Sequence, residues 1–289
     1  SFFKKEPSPF QNFAKRTVPN QKKGGKMDIR PIGIFDSGIG GLTVLKKLEE
    51  KLPNERFIYL GDTLNFPYGE KSKEEIISYS KKNIEYLIKQ NVKMVIIACG
   101  TATSQSLTEM KEIFDIPIIG IIEPTAEFVN KMDINKIGVI ATTGTIRSGA
   151  WEQGLKRKNP NIEVINKACP LLASIAEEGK AKSKESLEAV HKYMQIFKDN
   201  NVDTIILGCT HYPIFDELIR NEFSYDVNLI NTGACIAEKV EKYLKENEME
   251  NTQEIKMSKI VITKDEKDFD FKAKNILKST RTLDITRFN

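Results

Sequence analysis

The chain has 289 residues, 40% hydrophobic and 29% charged, with a formal net charge of +4. This is ordinary for a globular protein and long enough for about two domains. No apolar run approaches the roughly 18 residues of a membrane span. With two histidines and no HExxH, a dedicated histidine metal site is not expected either.

The positive charge is concentrated at the start. Residues 1–26 hold seven Lys/Arg against one acidic residue, which leaves the rest of the chain near −2. This stretch is aperiodic and contains Pro, Lys and Gly. It reads as a flexible basic extension or an expression remnant, with Met27 as the natural start. A nucleic-acid-binding arm needs a basic patch on the body as well, so neither a nucleic-acid nor a membrane partner is expected.

From Ile29 onward, short β-branched runs alternate with amphipathic stretches. Residues 31–35, 56–61, 92–99 and 116–122 predict buried strands, as do 136–141, 162–166, 202–209 and 227–231. Residues 72–90 predict a helix, with Ser72 as its cap and Glu75 in the capping-box position. The alternation predicts an α/β fold of mostly parallel sheets flanked by helices. Ligands in such folds sit beyond the carboxyl ends of the strands.

An internal repeat divides the chain. IGIFDSGIGG (32–41) aligns with IGVIATTGTI (137–146), and NVKMVIIACGT (91–101) with NVDTIILGCTH (201–211), at offsets of 105 and 110. These units predict two pseudo-symmetric lobes around a shared cleft: residues 27–122 with 231–289, and residues 123–230. The C-terminal segment is expected to return to the first lobe with a strand at 258–263.

The four cysteines form no CxxC pair, and they read as reduced thiols of a cytoplasmic protein. Cys169 and Cys235 read as small buried hydrophobes. Cys99 and Cys209 occupy equivalent strand ends in the repeat and are expected to face each other across the cleft. Two thiols on opposite faces of a substrate suit removal of a proton from one side and delivery from the other, which inverts a stereocentre. Each thiol needs an assistant, because an unperturbed cysteine has a pKa near 8.5. Asp36 ends the first strand beside Cys99, and His211 follows Cys209 by two residues. DSGIGG (36–41) is neither GxGxxG nor a Walker A loop, and its glycines suit close approach of backbone to a small ligand.

At these residues the sequence resembles the glutamate racemases of the cofactor-independent aspartate/glutamate racemase superfamily. The matching stretches are IGIFDSGIGGLTVL (32–45), GDTLNFPYG (61–69), ACGTAT (98–103), VIATTGTIRSGA (139–150), ACPLLASIAEEG (168–179) and LGCTHYP (207–213). The resemblance implies interconversion of L- and D-glutamate without a cofactor or metal, for peptidoglycan synthesis, by a cytoplasmic homodimer. It implies that Cys99 and Cys209 are the acid/base thiols, aided by Asp36 and by His211 with Glu177. It also implies that the substrate is held by Asp36, Ser37, Pro67, Tyr68, Gly69, Gly100, Thr101, Thr142, Thr145, Thr210 and His211. Gly100 departs from the family's Asn at that position. Tighter substrate binding by a Gly100→Asn variant would show that the missing amide matters. The alternatives are a racemase of aspartate or another acidic amino acid, and a non-catalytic protein that binds or senses one.

Overall fold

A computed structural model of the chain describes residues 27–253, 258–266, 268–278 and 284–287. Residues 1–26, with the basic extension assigned to them, lie outside the described residues. The first lobe begins β1 (Ile32–Asp36), α1 (Leu42–Lys51), β2 (Phe57–Gly61), α2 (Lys73–Lys89), β3 (Met94–Ile97), α3 (Gly100–Ile113) and β4 (Ile118–Gly120). Then come α4 (Ile122–Val129), β5 (Lys136–Ala141), α5 (Thr143–Arg147), α6 (Ala150–Lys158), β6 (Glu163–Ala168), α7 (Pro170–Glu177), α8 (Lys184–Asp199) and β7 (Thr204–Leu207). The chain continues with α9 (Asp216–Arg220), β8 (Asn228–Asn231), α10 (Thr232–Glu246), β9 (Lys259–Ile262), α11 (Phe269–Leu277) and β10 (Asp284–Arg287).

The strands form two sheets, ordered β10-β9-β2-β1-β3-β4 and β6-β5-β7-β8. Every pairing is parallel. The order β2-β1-β3-β4 in one sheet matches β6-β5-β7-β8 in the other, so the sequence repeat sets β1 against β5 and β3 against β7. Even the turns agree. Asn91 and Asn201, equivalent in the repeat, both take left-handed backbone at φ 58° and 49° where α2 and α8 end, a conformation asparagine tolerates better than most residues.

Local chemistry explains the boundaries. Ser72 accepts from Glu75 N while Glu75 accepts from Ser72 N, a complete capping box at the start of α2. Asn231 accepts from Gly233 N and Ala234 N and caps α10. Two expectations need correction. The run at 116–122 is a strand only over Ile118–Gly120, because Ile121 already caps α4. The run at 162–166 belongs to an edge strand, β6, with Glu163 exposed and its other residues half-buried. β10, which the sequence reading did not anticipate, extends the first sheet beyond β9.

The two sheets share a core. Ile34 and Tyr59 of the first sheet lie in one buried cluster with Ile137 and Val139 of the second. Ile122 and Ala126 of α4 and Ile236 and Val240 of α10 join them there. The lobes therefore rest against each other on the α4–α10 side. The carboxyl ends of β1, β3, β5 and β7 open onto the cleft. No helix among the described residues is long and apolar enough to cross a membrane.

Candidate active site

The cleft is built where strands hand over to helices. β3 stops at Ile97 and Cys99 becomes the N-cap of α3, its sulfur accepting from Ala102 N at 3.5 Å. The same thiol lies 3.6 Å from Ser37 Oγ. Opposite, β7 stops at Leu207 and the chain turns through Gly208, Cys209, Thr210 and His211. Both cysteines line the cleft, with Ser37, Pro67, Tyr68, Gly69, Gly100, Thr101, Thr142, Thr145, Thr210 and His211. The family-derived substrate positions are thus gathered in one place, apart from Asp36, which sits behind the cleft wall.

Cys209 has an assembled relay. Its sulfur is 3.6 Å from His211 Nδ1, and His211 Nε2 is 2.5 Å from Glu177 Oε2. Glu177 is the last residue of α7 and also accepts from Ile39 N of the first lobe, at 3.1 and 3.3 Å. His211 is 2% exposed. Burial opposes its charge, but the bonds to Cys209 and Glu177 and their negative charges outweigh burial and hold the imidazole well above its ordinary pKa. When protonated on both nitrogens, the ring donates one proton toward Glu177 and one toward the Cys209 sulfur.

Cys99 is served differently. No hydrogen bond joins it to Asp36 among the described residues. The Asp36 carboxylate accepts from Gly38 N at 3.1 Å and from Thr210 Oγ1 at 3.2 Å. Its influence on Cys99 is through charge: burial first, then the Asp36 carboxylate, push the Cys99 thiol up to about 12. Burial also raises Asp36 itself to about 6, against the opposing pull of His211.

The glycines of DSGIGG make room for the other lobe. A Cβ at Gly38 would lie 2.7 Å from Glu177 Oε1, and one at Gly40 would lie 2.6 Å from His211 Nδ1. Gly100 follows the same rule: a Cβ there would stand 2.4 Å from the carbonyl oxygen of Gly208. Nearby, Thr101 Oγ1 reaches Thr142 Oγ1 at 2.9 Å and Thr145 Oγ1 at 3.1 Å, tying the lobes across the cleft. The space taken by a side chain at 100 is therefore filled by opposing backbone. Gly100→Asn is expected to destabilise the substrate-free protein by about 1–3 kcal/mol, lowering the thermal midpoint by several degrees, and to raise KM. An unchanged midpoint with a lower KM would contradict the packing argument.

Several lining residues lie within the matched stretches 61–69 and 168–179 but have no signal of their own. Phe66 packs against His211 with ring centroids 5.7 Å apart, and Pro170, Ala173 and Ser174 present one side of α7 to the cleft. Tyr68, read as a substrate contact, directs its hydroxyl to Asp62 Oδ2 at 2.5 Å and accepts from Asn83 Nδ2 at 3.1 Å. Asp62 also accepts from Asn65 and Thr263. This buried network fixes the loop that presents Pro67 and Gly69.

The two-lobe α/β fold finds its counterpart among known proteins. The sequence profile described as Asp/Glu/hydantoin racemase matches residues 32–240. The chain belongs to this family. A glutamate racemase of Bacillus cereus is 41% identical over 235 residues, covering 81% of this chain and 87% of that protein. The crystal structure of glutamate racemase from Francisella tularensis in complex with D-glutamate superposes with a TM-score of 0.83 at 36% identity, covering 91% of this chain and 97% of that one. The glutamate racemase isoform RacE1 of Bacillus anthracis gives 0.86 at 31% identity, covering 90% and 97%. The protein is thus an isomerase, an amino-acid racemase whose resemblance within the family is to the glutamate racemases.

Proposed function

We propose that the enzyme interconverts L- and D-glutamate by two-sided proton transfer, with Cys99 and Cys209 as the acid/base pair. The observation that carries this reading is the pair of thiols at repeat-equivalent strand ends in one cleft, each with its own charged support. One sulfur, as thiolate, takes the α-proton. The electron pair left on the α-carbon delocalises into the α-carboxylate, and the opposite thiol returns a proton to the other face. The roles are exchanged in the product complex. His211, steadied by Glu177, balances negative charge on Cys209, and Asp36 favours the protonated form of Cys99. Backbone N–H groups at the start of α3 and hydroxyls such as Ser37, Thr101 and Thr210 suit the two carboxylates of glutamate.

The wider reading is that this activity supplies D-glutamate for peptidoglycan in the cytoplasm, and that the enzyme works as a homodimer. The lobes are taken as 27–122 with 231–289, and 123–230. The purified enzyme is expected to bring L- and D-glutamate, supplied separately, to the same racemic end point by optical rotation, and to leave aspartate unchanged. Turnover of aspartate but not glutamate would move the substrate. Binding of glutamate without any turnover would refute the catalytic reading.

A further inference from the structure

The Glu177 carboxylate hangs from a helix end that the first sheet's C-terminal extension holds in place. α7 closes with Gly179 at φ 73°. Gly179 N donates to Ala176 O and Lys180 N to Ile175 O, the pairing of a Schellman cap. That cap leaves the carbonyl of Glu177 itself without a helical donor. Lys272 supplies one, its Nζ 2.7 Å from Glu177 O. Lys272 lies on α11, which follows β9 of the first sheet and packs on α1. Glu177 is thus gripped twice across the lobe boundary, by Ile39 N at its carboxylate and by Lys272 at its backbone. The lysine charge also complements the negative end of the helix dipole.

We propose that Lys272 is a positioning residue for the relay: by fixing the end of α7 it aims the Glu177 carboxylate at His211 and so keeps the imidazolium in place behind Cys209. This inference rests on the Cys209–His211–Glu177 assignment proposed above. The cap satisfies the carbonyls of Ile175 and Ala176, whereas that of Glu177 depends on Lys272, and an unsatisfied terminal carbonyl loosens the residue whose carboxylate bonds His211 Nε2. The titratable and charged groups around Glu177 and His211 are Asp36 on β1, Tyr59 on β2, Cys209 after β7, and Glu266, Lys264 and Lys272 of the C-terminal segment.

The test is the pH profile of kcat/KM for racemisation in the wild type, Lys272→Met, Lys272→Arg and His211→Asn, with thermal midpoints measured alongside. The equilibrium constant between enantiomers is unity, so kcat/KM must fall by one factor in both directions. Loosening Glu177 weakens its hold on the imidazolium. Lys272→Met is therefore expected to lower kcat about tenfold with little change in KM, and to move the alkaline limb down by about one pH unit. Lys272→Arg is expected to restore both. Loss of the lysine charge alone would move that limb upward, so an upward shift overturns the proposal. An unmoved limb overturns it too, whatever the midpoint does. If His211→Asn leaves rate and profile unchanged, the relay assignment itself fails and the proposal falls with it.

Discussion

Cys209→Ala is expected to stop racemisation in both directions, with kcat/KM falling by about 10²–10⁴-fold or more, and Cys99→Ala to do the same. Each variant keeps one thiol and so loses either the group that takes the proton or the one that returns it, and neither direction can proceed without both. A single remaining thiol can still exchange the α-hydrogen of the enantiomer it faces. Each variant should therefore wash deuterium from heavy water into one enantiomer with retention of configuration, and the two variants should choose opposite enantiomers. Cys169→Ala is the control. Cys169 is fully buried, sits 3.6 Å from the carbonyl of Lys167 and does not line the cleft, so its loss costs packing and spares chemistry. Comparable inactivation by Cys169→Ala would count against the assignment, as would racemisation surviving in either of the other variants. Optical rotation measures turnover and proton NMR in heavy water measures exchange.

Asp36→Asn is expected to divide stability from activity. Asp36 is 0% exposed, and burial is the largest of the influences that carry it from its ordinary 3.8 to about 6. A folded pKa above the unfolded one means that the fold favours the neutral acid. Stability from this group is greatest below 3.8, declines as pH rises toward 6, and stays reduced above that. The interval corresponds to about 3 kcal/mol. Asparagine removes the buried charge, and its carbonyl still accepts from Gly38 N. The variant should therefore unfold at a higher temperature than the wild type at pH 8, with the difference vanishing near pH 4. Its racemase activity should fall by about 100-fold, because no carboxylate remains behind Cys99. A variant less stable at pH 8, or one of undiminished activity, would contradict the reading. Under the proposed mechanism, Asp36 exchanges stability for function.

The parallel strands were legible because strands buried on both faces must be continuous apolar runs, as in VIIAC and TIILGC. The repeat then gave the pairing of β1 with β5 and β3 with β7, and with it the placement of both cysteines at strand ends. What could not be read depends on surfaces meeting in space. β6 reads as a strand from Val164 and Ile165, and its Glu163, Asn166 and Lys167 are the polar residues an edge tolerates, but which sheet edge it takes depends on the assembled order. Phe66, Pro170, Ala173 and Ser174 look like ordinary loop and helix residues until α7 is laid along the cleft. Asp36 stands at the right strand end, but a strand-end position does not say whether its carboxylate turns to Cys99 or to Thr210. The departure at Gly100 was visible as an absence. Its meaning required the carbonyl of Gly208, contributed by the other lobe.

In the proposed mechanism, two groups on opposite faces of the α-carbon share the proton transfer. Its most direct test is the position of deuterium early in turnover of protiated L-glutamate in heavy water. The two-thiol account predicts that the D-glutamate formed carries deuterium at its α-carbon while the remaining L-glutamate is still protiated, with the mirror result starting from D-glutamate. Product that retains the original proton, or deuterium entering both enantiomers at equal initial rates, would contradict it.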